Sequence, residues 1–190
     1  MVLDKLAETK AIMEWEIRFA RIVYKGGYEA FFDRFLLATQ IRRLVIVSPW
    51  ITTLHDESIT LRDIIANIET HRVPTTVVMR HPKKEPLNLE AAELLSKSKF
   101  ITLYVNNDLH AKVYVCRCDP FGFALVGSAN LSGRATRAHE VGILIEGKGP
   151  GRDIVEELEL LGTEDLPNKS GTILHAQRGI IVESQTQLRR

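Results

Sequence analysis

The chain has 190 residues, 45% of them hydrophobic, enough for one sizeable buried core and, by length, a single domain with a short extension. Its 25 lysines and arginines against 24 aspartates and glutamates leave a net charge of +1, which excludes the global positive footprint of a non-specific DNA coat. The opening MVLDKLAETK mixes charges from its first turn, and no apolar run approaches roughly eighteen residues, so the expectation is a cytoplasmic protein without a membrane anchor.

In chain order, apolar residues recur at Leu6, Met13, Ile17, Ala20 and Tyr24 with helical spacing, predicting a helix from Leu3 to Tyr24 that its own domain or a partner chain must cover. Gly26 and Gly27 break it. A second helix is expected from Tyr28 to about Thr39, with Phe31, Phe32, Phe35 and Leu36 on one face, so residues 1–40 read as an N-terminal helical segment. The run Leu44 to Val47, stopped by Ser48 and Pro49, reads as a strand covered on both faces. A helix (Thr60 to Thr70), a strand (Thr75 to Arg80), a helix (Leu87 to Ser98) and a strand (Phe100 to Val105) follow, an alternation that points to α/β layers with some parallel pairing.

After Asn107 the pattern changes to consecutive strands, Leu109 to Arg117, Phe123 to Val126 and Glu140 to Ile145, with CDPFG turning between the first two. A charged helix, Arg152 to Leu161, comes next, and residues 163–190 form an extension in which GTILHA and GIIVES make a candidate hairpin. Cys116 and Cys118, the only cysteines, lie along one strand in poor geometry for a mutual disulfide and read as reduced packing residues.

The stretch LHAKVYVCRC raises the functional question. Strand alternation would put Leu109, Ala111, Val113 and Val115 on one side and His110, Lys112 and Tyr114 on the other, an imidazole beside an ammonium. The strand ending at Val126 then runs into GSANLSG, Gly127 to Gly133, whose small residues let backbone amides approach a ligand while Ser128 and Asn130 add donors suited to an anionic oxygen. A second H-x-K, His81-Pro82-Lys83, follows a strand end, is interrupted by proline and precedes no G-S-x-N, so it reads as a solvated loop whose side chains do not converge.

His110 and Lys112 followed by Ser128 and Asn130 resemble the H-x-K and G-S-x-N signature of the phospholipase D superfamily, and Glu140 falls where members carry a glutamate that pairs with the histidine. The strand end Ile46 to Trp50 is similar to the family's first core strand. The family's aspartate five residues after the lysine is replaced here by Arg117, with Asp119 two residues on, and G-S-x-N begins three residues late, a shift that a longer hairpin through CDPFG absorbs. The resemblance covers residues 41–162. It implies an α/β fold with a mixed, largely buried sheet of about six to seven strands sandwiched between helices.

It also implies a chemistry. His110 would attack phosphorus to form a phosphohistidine, Lys112, Asn130 and Ser128 would bind the phosphoryl oxygens, and Glu140 would hold the other imidazole nitrogen. A general acid is still needed, and His139, beside Glu140 at a strand start, reads as structural. A two-fold homodimer sharing its site would supply a second copy of His110. No cofactor is expected and no metal, since no H-E-x-x-H pattern appears and Lys112 would repel a cation. The implied activity is that of a stand-alone DNA endonuclease, with RNA as a further substrate and helicase or restriction components as associates; a non-catalytic DNA-binding module and a phospholipid hydrolase or transferase are the alternatives. Arg134 and Arg137 after the loop, Arg80, Lys83 and Lys84 at the second strand end, and Trp50 after the first are candidate nucleic-acid contacts.

Overall fold

The computed structural model describes residues 19–24, 26–55, 57–170, 172–177 and 180–185. Its centre is a nine-stranded sheet: β1 (Ala20–Tyr24), β2 (Ile41–Val47), β3 (Thr75–Met79), β4 (Ile101–Val105), β5 (Val113–Cys118), β6 (Phe123–Gly127), β7 (Val141–Glu146), β8 (Thr172–Gln177) and β9 (Ile180–Gln185). Their order across the sheet is β1-β7-β6-β5-β2-β3-β4-β8-β9. Only β2–β3 and β3–β4 are parallel; every other neighbour pair is antiparallel.

Helices cover both faces, as the expected mixed α/β class requires. Leu44 and Ile46 of β2 meet one layer and Val45 and Val47 the other, all four with no exposed surface. The first layer holds α1 (Gly27–Leu37), α2 (Leu61–His71) and α3 (Leu89–Leu95), which contribute Phe31, Phe32, Phe35, Ile64, Ile68 and Leu95. The second holds α5 (Gly151–Leu160), which continues through one π-helical turn, Leu161–Asp165, into α6 (Leu166–Ser170). A short helix, α4 (Gly133–Arg137), follows the loop after β6. No helix among the described residues is long and apolar enough to cross a membrane.

α2 starts where its sequence dictates. The Thr60 hydroxyl accepts from the Asp63 amide at 3.2 Å and the Asp63 carboxylate accepts from the Thr60 amide at 2.8 Å, a reciprocal cap that satisfies donors the first helical turn leaves free. It holds the Asp63 carboxyl below the usual aspartate range, the Thr60 hydroxyl being the main cause.

The sheet has nine strands rather than six to seven for two reasons. The segment Ala20 to Tyr24 is not the end of a helix but strand β1, paired along its whole length with β7. A four-residue spacing such as Ala20 to Tyr24 suits a strand as well as a helix, and Ile22, Val23 and Tyr24 are residues that favour a pleated surface. Residues 1–18, which carry the rest of the expected helix, lie outside the described residues. The other addition is the β8–β9 hairpin, which pairs through β8 with β4.

Candidate functional site

The strand that carries the motif starts later than its alternation suggests. The ladder between β5 and β6 begins at Val113 opposite Val126, so residues 109–112 form an irregular approach, with Leu109 buried, His110 and Ala111 exposed, and Lys112 only 7% exposed. The expected inward Ala111 and outward Lys112 are thus reversed. The cause is tertiary: the Arg80 guanidinium donates from Nε to the Leu109 carbonyl at 2.9 Å, and the Gly127 amide donates to the Lys112 carbonyl at 3.2 Å. Held at both ends, the segment folds the Lys112 side chain back, and its Nζ donates to the His110 carbonyl at 2.7 Å.

Lys112 lies 5.9 Å from the centre of the Trp50 ring, on which Arg80 also stacks at 4.9 Å. Trp50 donates from Nε1 to Glu85 at 2.9 Å, and the other Glu85 oxygen accepts from Arg80 at 3.0 Å. These bonds, Trp50's first and Arg80's second, hold the Glu85 carboxyl below its ordinary range. Burial lowers the Lys112 pKa; the Glu140 carboxylate opposes that shift and Arg80 adds to it. The half-buried indole is therefore both a packing group and a wall of the site.

The GSANLSG loop is pinned from below. The fully buried Ser48 hydroxyl accepts from the Leu131 amide at 3.1 Å, the Thr52 amide donates to the Leu131 carbonyl at 2.9 Å, and the Tyr114 hydroxyl donates to the Ala129 carbonyl at 2.9 Å. Phe31 and Phe32 of α1 pack on the Tyr114 ring, each 5.8 Å away, so the first helical layer fixes the loop through β5. Asn88 is also fully buried and spans two strand ends: its Oδ1 accepts from the Ile51 amide at 2.9 Å while Nδ2 donates to the carbonyls of Pro49 and Arg80, each at 2.9 Å.

At the top of this scaffold, Ser128 donates its hydroxyl proton to Glu140 in a short hydrogen bond and accepts from the Val141 amide at 3.1 Å. Glu140 therefore does not pair with His110, as the resemblance implied: among the described residues its carboxylate is bonded to Ser128, and the His110 imidazole has no hydrogen bond. Asn130 is half-buried, and its amide oxygen is buried with no partner among the described residues. Two grooves lie beside the Ser128–Glu140 bond, one lined by each partner. One, of about 670 Å³, is lined by His110, Ala111, Lys112, Ser128, Val141 and Ile143. The other, of about 650 Å³, is lined by Trp50, Leu87, Asn130, Arg134 and Glu140.

The remaining candidates sort by position. Arg134 is exposed on the rim of the second groove, and the side chain of Arg137 lies outside the described residues. His139 stacks on Tyr24 and its Nδ1 lies 2.5 Å from the Tyr24 hydroxyl. The other H-x-K lies in a loop, as expected, with Lys83 80% exposed, but its side chains do converge: His81 is 13% exposed, and its Nε2 and the Lys83 ammonium meet one oxygen of Glu183 in β9, at 2.9 and 2.8 Å. That carboxylate lies far along the sequence, in the β8–β9 hairpin. Sequence reasoning also missed Asn88, Ser48 and Glu85. Ser48 directly follows the end of β2, but Glu85 and Asn88 lie well past the end of β3 at Met79, and no local signal marks them.

Across solved structures, the arrangement is similar to a phospholipase D family member, Nuc from Salmonella typhimurium, at a TM-score of 0.56 and 15% identity over 88% of this chain and 98% of that one. The fold is phospholipase D-like. NucT from Helicobacter pylori matches at a TM-score of 0.56 and 12% identity over 80% of this chain and 96% of that one. Phosphatidylserine synthase from Haemophilus influenzae matches at 0.50 and 17% over 74% of this chain and 37% of that one. No family model matches the sequence, and no curated protein does. In this fold His110, Lys112, Ser128, Asn130 and Glu140 lie at one end of the sheet.

Proposed function

We propose that this chain is a metal-independent phosphodiesterase, a DNA endonuclease that works through a phosphohistidine in a site shared by two subunits. The observation that carries this reading is that Lys112 and Ser128 line the groove on whose rim His110 is exposed, while Asn130 lines the neighbouring groove together with Glu140, to which Ser128 is bonded. A nearly buried ammonium beside a hydroxyl and an amide suits an oxyanion, and it fills the place that a catalytic cation would take.

In the first step an imidazole nitrogen of His110 attacks phosphorus, the bond from phosphorus to the leaving oxygen breaks, and that oxygen takes a proton from His110 of the second subunit. In the second step water attacks the phosphohistidine while the second histidine takes the water's proton, so both imidazoles return to their starting states. Lys112 and Asn130 donate to the non-bridging oxygens throughout, and Ser128 joins them when its hydroxyl proton turns from Glu140 to the phosphoryl group. Glu140 orients the Ser128 hydroxyl and raises the proton affinity of Lys112.

Apolar surface beside His110 supports the shared site. Val141 and Ile143, 51% and 46% exposed, line its groove, and their partners across the ladder, Tyr24 and Ile22, are 60% and 77% exposed. A second copy seated there would bury this patch and bring in the missing histidine. Arg134 at the rim, with Arg80 and Lys112, supplies local positive charge for a polyanion.

The test is plasmid cleavage in excess EDTA by wild type and His110→Ala, with the subunit mass measured on the same sample. Cleavage by wild type alone, from a dimer, is the expected result. Strict dependence on a divalent cation would sink the mechanism, and an active monomer the shared site. DNA binding without turnover would make the chain a binding module, and hydrolysis of phosphatidylcholine vesicles with plasmid untouched a phospholipase.

A further inference from the structure

The end of β5 remote from Lys112 carries a pair of sulfurs. Cys116 and Cys118 are free thiols whose Sγ atoms lie 3.5 Å apart. Cys116 is fully buried in the first helical layer, whereas Cys118 is half-buried and opens onto two surface pockets. One, of about 290 Å³, is lined in part by Arg42, Arg43 and Arg117; the other, of about 590 Å³, by Arg34 and Phe121.

We propose that Cys116 and Cys118 form a reversible oxidation site, with Cys118 as the attacking sulfur, Cys116 as the resolving one and a peroxide as the oxidant. The Cys118 thiolate attacks one peroxide oxygen, the O–O bond breaks and hydroxide leaves, giving a sulfenic acid. The Cys116 sulfur then attacks the Cys118 sulfur, the S–O bond breaks, and the departing hydroxide leaves as water with the Cys116 proton. Two thiols and one peroxide thus become one disulfide and water.

The electrostatics assign the two roles. Cys116 lowers the Cys118 pKa by hydrogen bonding to it, and Arg34 and Arg117 add to that effect against opposing contributions from burial and the Asp119 carboxylate. The same bond and burial push the Cys116 pKa up, which makes the exposed-side Cys118 the more readily ionised of the two. Access follows the same division, since only Cys118 lines the pockets.

Geometry makes the bond labile. Residues two apart on an extended strand have Cα atoms about 6.6 Å apart, near the ~6.8 Å upper limit for a disulfide, and the sulfurs must close to about 2.05 Å. Cys118 is the partner that can move. It is the last residue of β5, and the pairing with β2 already shifts register between Ile41 and Arg43. A strained disulfide is easily reduced, so the oxidised state reverts in the presence of ordinary thiols.

The experiment uses the whole reduced protein, exposed to hydrogen peroxide, then denatured with N-ethylmaleimide and weighed intact without reductant. Wild type should lose about 2 Da and take up no maleimide, and dithiothreitol should restore two alkylatable thiols. Cys116→Ser should instead add oxygen at Cys118, about 16 to 32 Da, and Cys118→Ser should keep its remaining thiol alkylatable. Wild type that keeps both thiols, that gains oxygen without the 2 Da loss, or that becomes disulfide-linked between chains would overturn the proposal. The readout is independent of the phosphodiesterase reading, because about 17 Å of strand separates Cys118 from Val113.

Discussion

Replacing Asn88 with alanine should cost about 3 kcal/mol of stability. The side chain is fully buried and makes three hydrogen bonds of 2.9 Å to backbone groups of Pro49, Ile51 and Arg80 beyond the ends of β2 and β3, where the Pro49 carbonyl also accepts from the Arg80 amide at 3.3 Å. At about 1 kcal/mol net for each bond, the loss for a domain of this size lowers Tm by about 9 °C. Urea unfolding monitored by circular dichroism should show a lower midpoint with an unchanged slope. Asn67→Ala is the control, because Asn67 Nδ2 makes one long bond, 3.4 Å to the Leu36 carbonyl, and its Oδ1 is buried with no partner among the described residues; it should cost less than about 1 kcal/mol. An Asn88→Ala protein within about 0.5 kcal/mol of wild type, or no less stable than Asn67→Ala, would refute the claim that this side chain ties the two strand ends together.

Thr60→Ala should lower stability by about 1 kcal/mol in the same assay, through loss of the α2 cap. The folded-state pKa of Lys112 lies below its unfolded value of 10.5, so the unfolded chain binds more protons in that window and stability rises as pH rises through it. If catalysis needs the charged amine, the alkaline limb of the pH–rate profile falls below 10.5, Glu140→Gln moves it lower and Arg80→Gln higher; a limb that neither moves is not set by Lys112. Ile143→Asp on the exposed patch should weaken a two-fold dimer by about 4 kcal/mol, roughly 10³-fold in Kd, at about 2 kcal/mol for each copy; sedimentation that still gives a dimer places the interface elsewhere.

The chain order of buried strands and amphipathic helices was legible because their periods are unambiguous: Leu44 to Val47 is apolar throughout, and α2 carries its own start signal at Thr60. β1 was not, since its apolar spacing satisfies both periods and its pairing with β7 is a contact across more than a hundred residues. The site was legible as a set of residue types but not as a geometry. Nothing within LHAKVYVCRC specifies that Arg80 takes the Leu109 carbonyl or that the Gly127 amide takes that of Lys112, the two bonds between which Ala111 is exposed and Lys112 buried. For the same reason Glu140 could be placed near the site but not bonded to Ser128.

The site lies where the sheet changes direction, and this explains why its supporting residues are polar. β2 and β3 end there, β6 ends there, and the antiparallel β5 and β7 begin there, so backbone groups released at five strand ends need partners within one small volume. Ser48, Arg80 and Asn88 supply them with side chains, and in doing so they set the positions of Trp50, Leu109 and Leu131 around Lys112. Stability and activity should therefore fall together when Asn88 or Ser48 is replaced. His110 differs: it is exposed, and its imidazole makes no hydrogen bond among the described residues. His110→Ala should abolish cleavage while leaving Tm within about 2 °C of wild type, and a larger drop in Tm would show that the histidine belongs to the scaffold rather than to the chemistry.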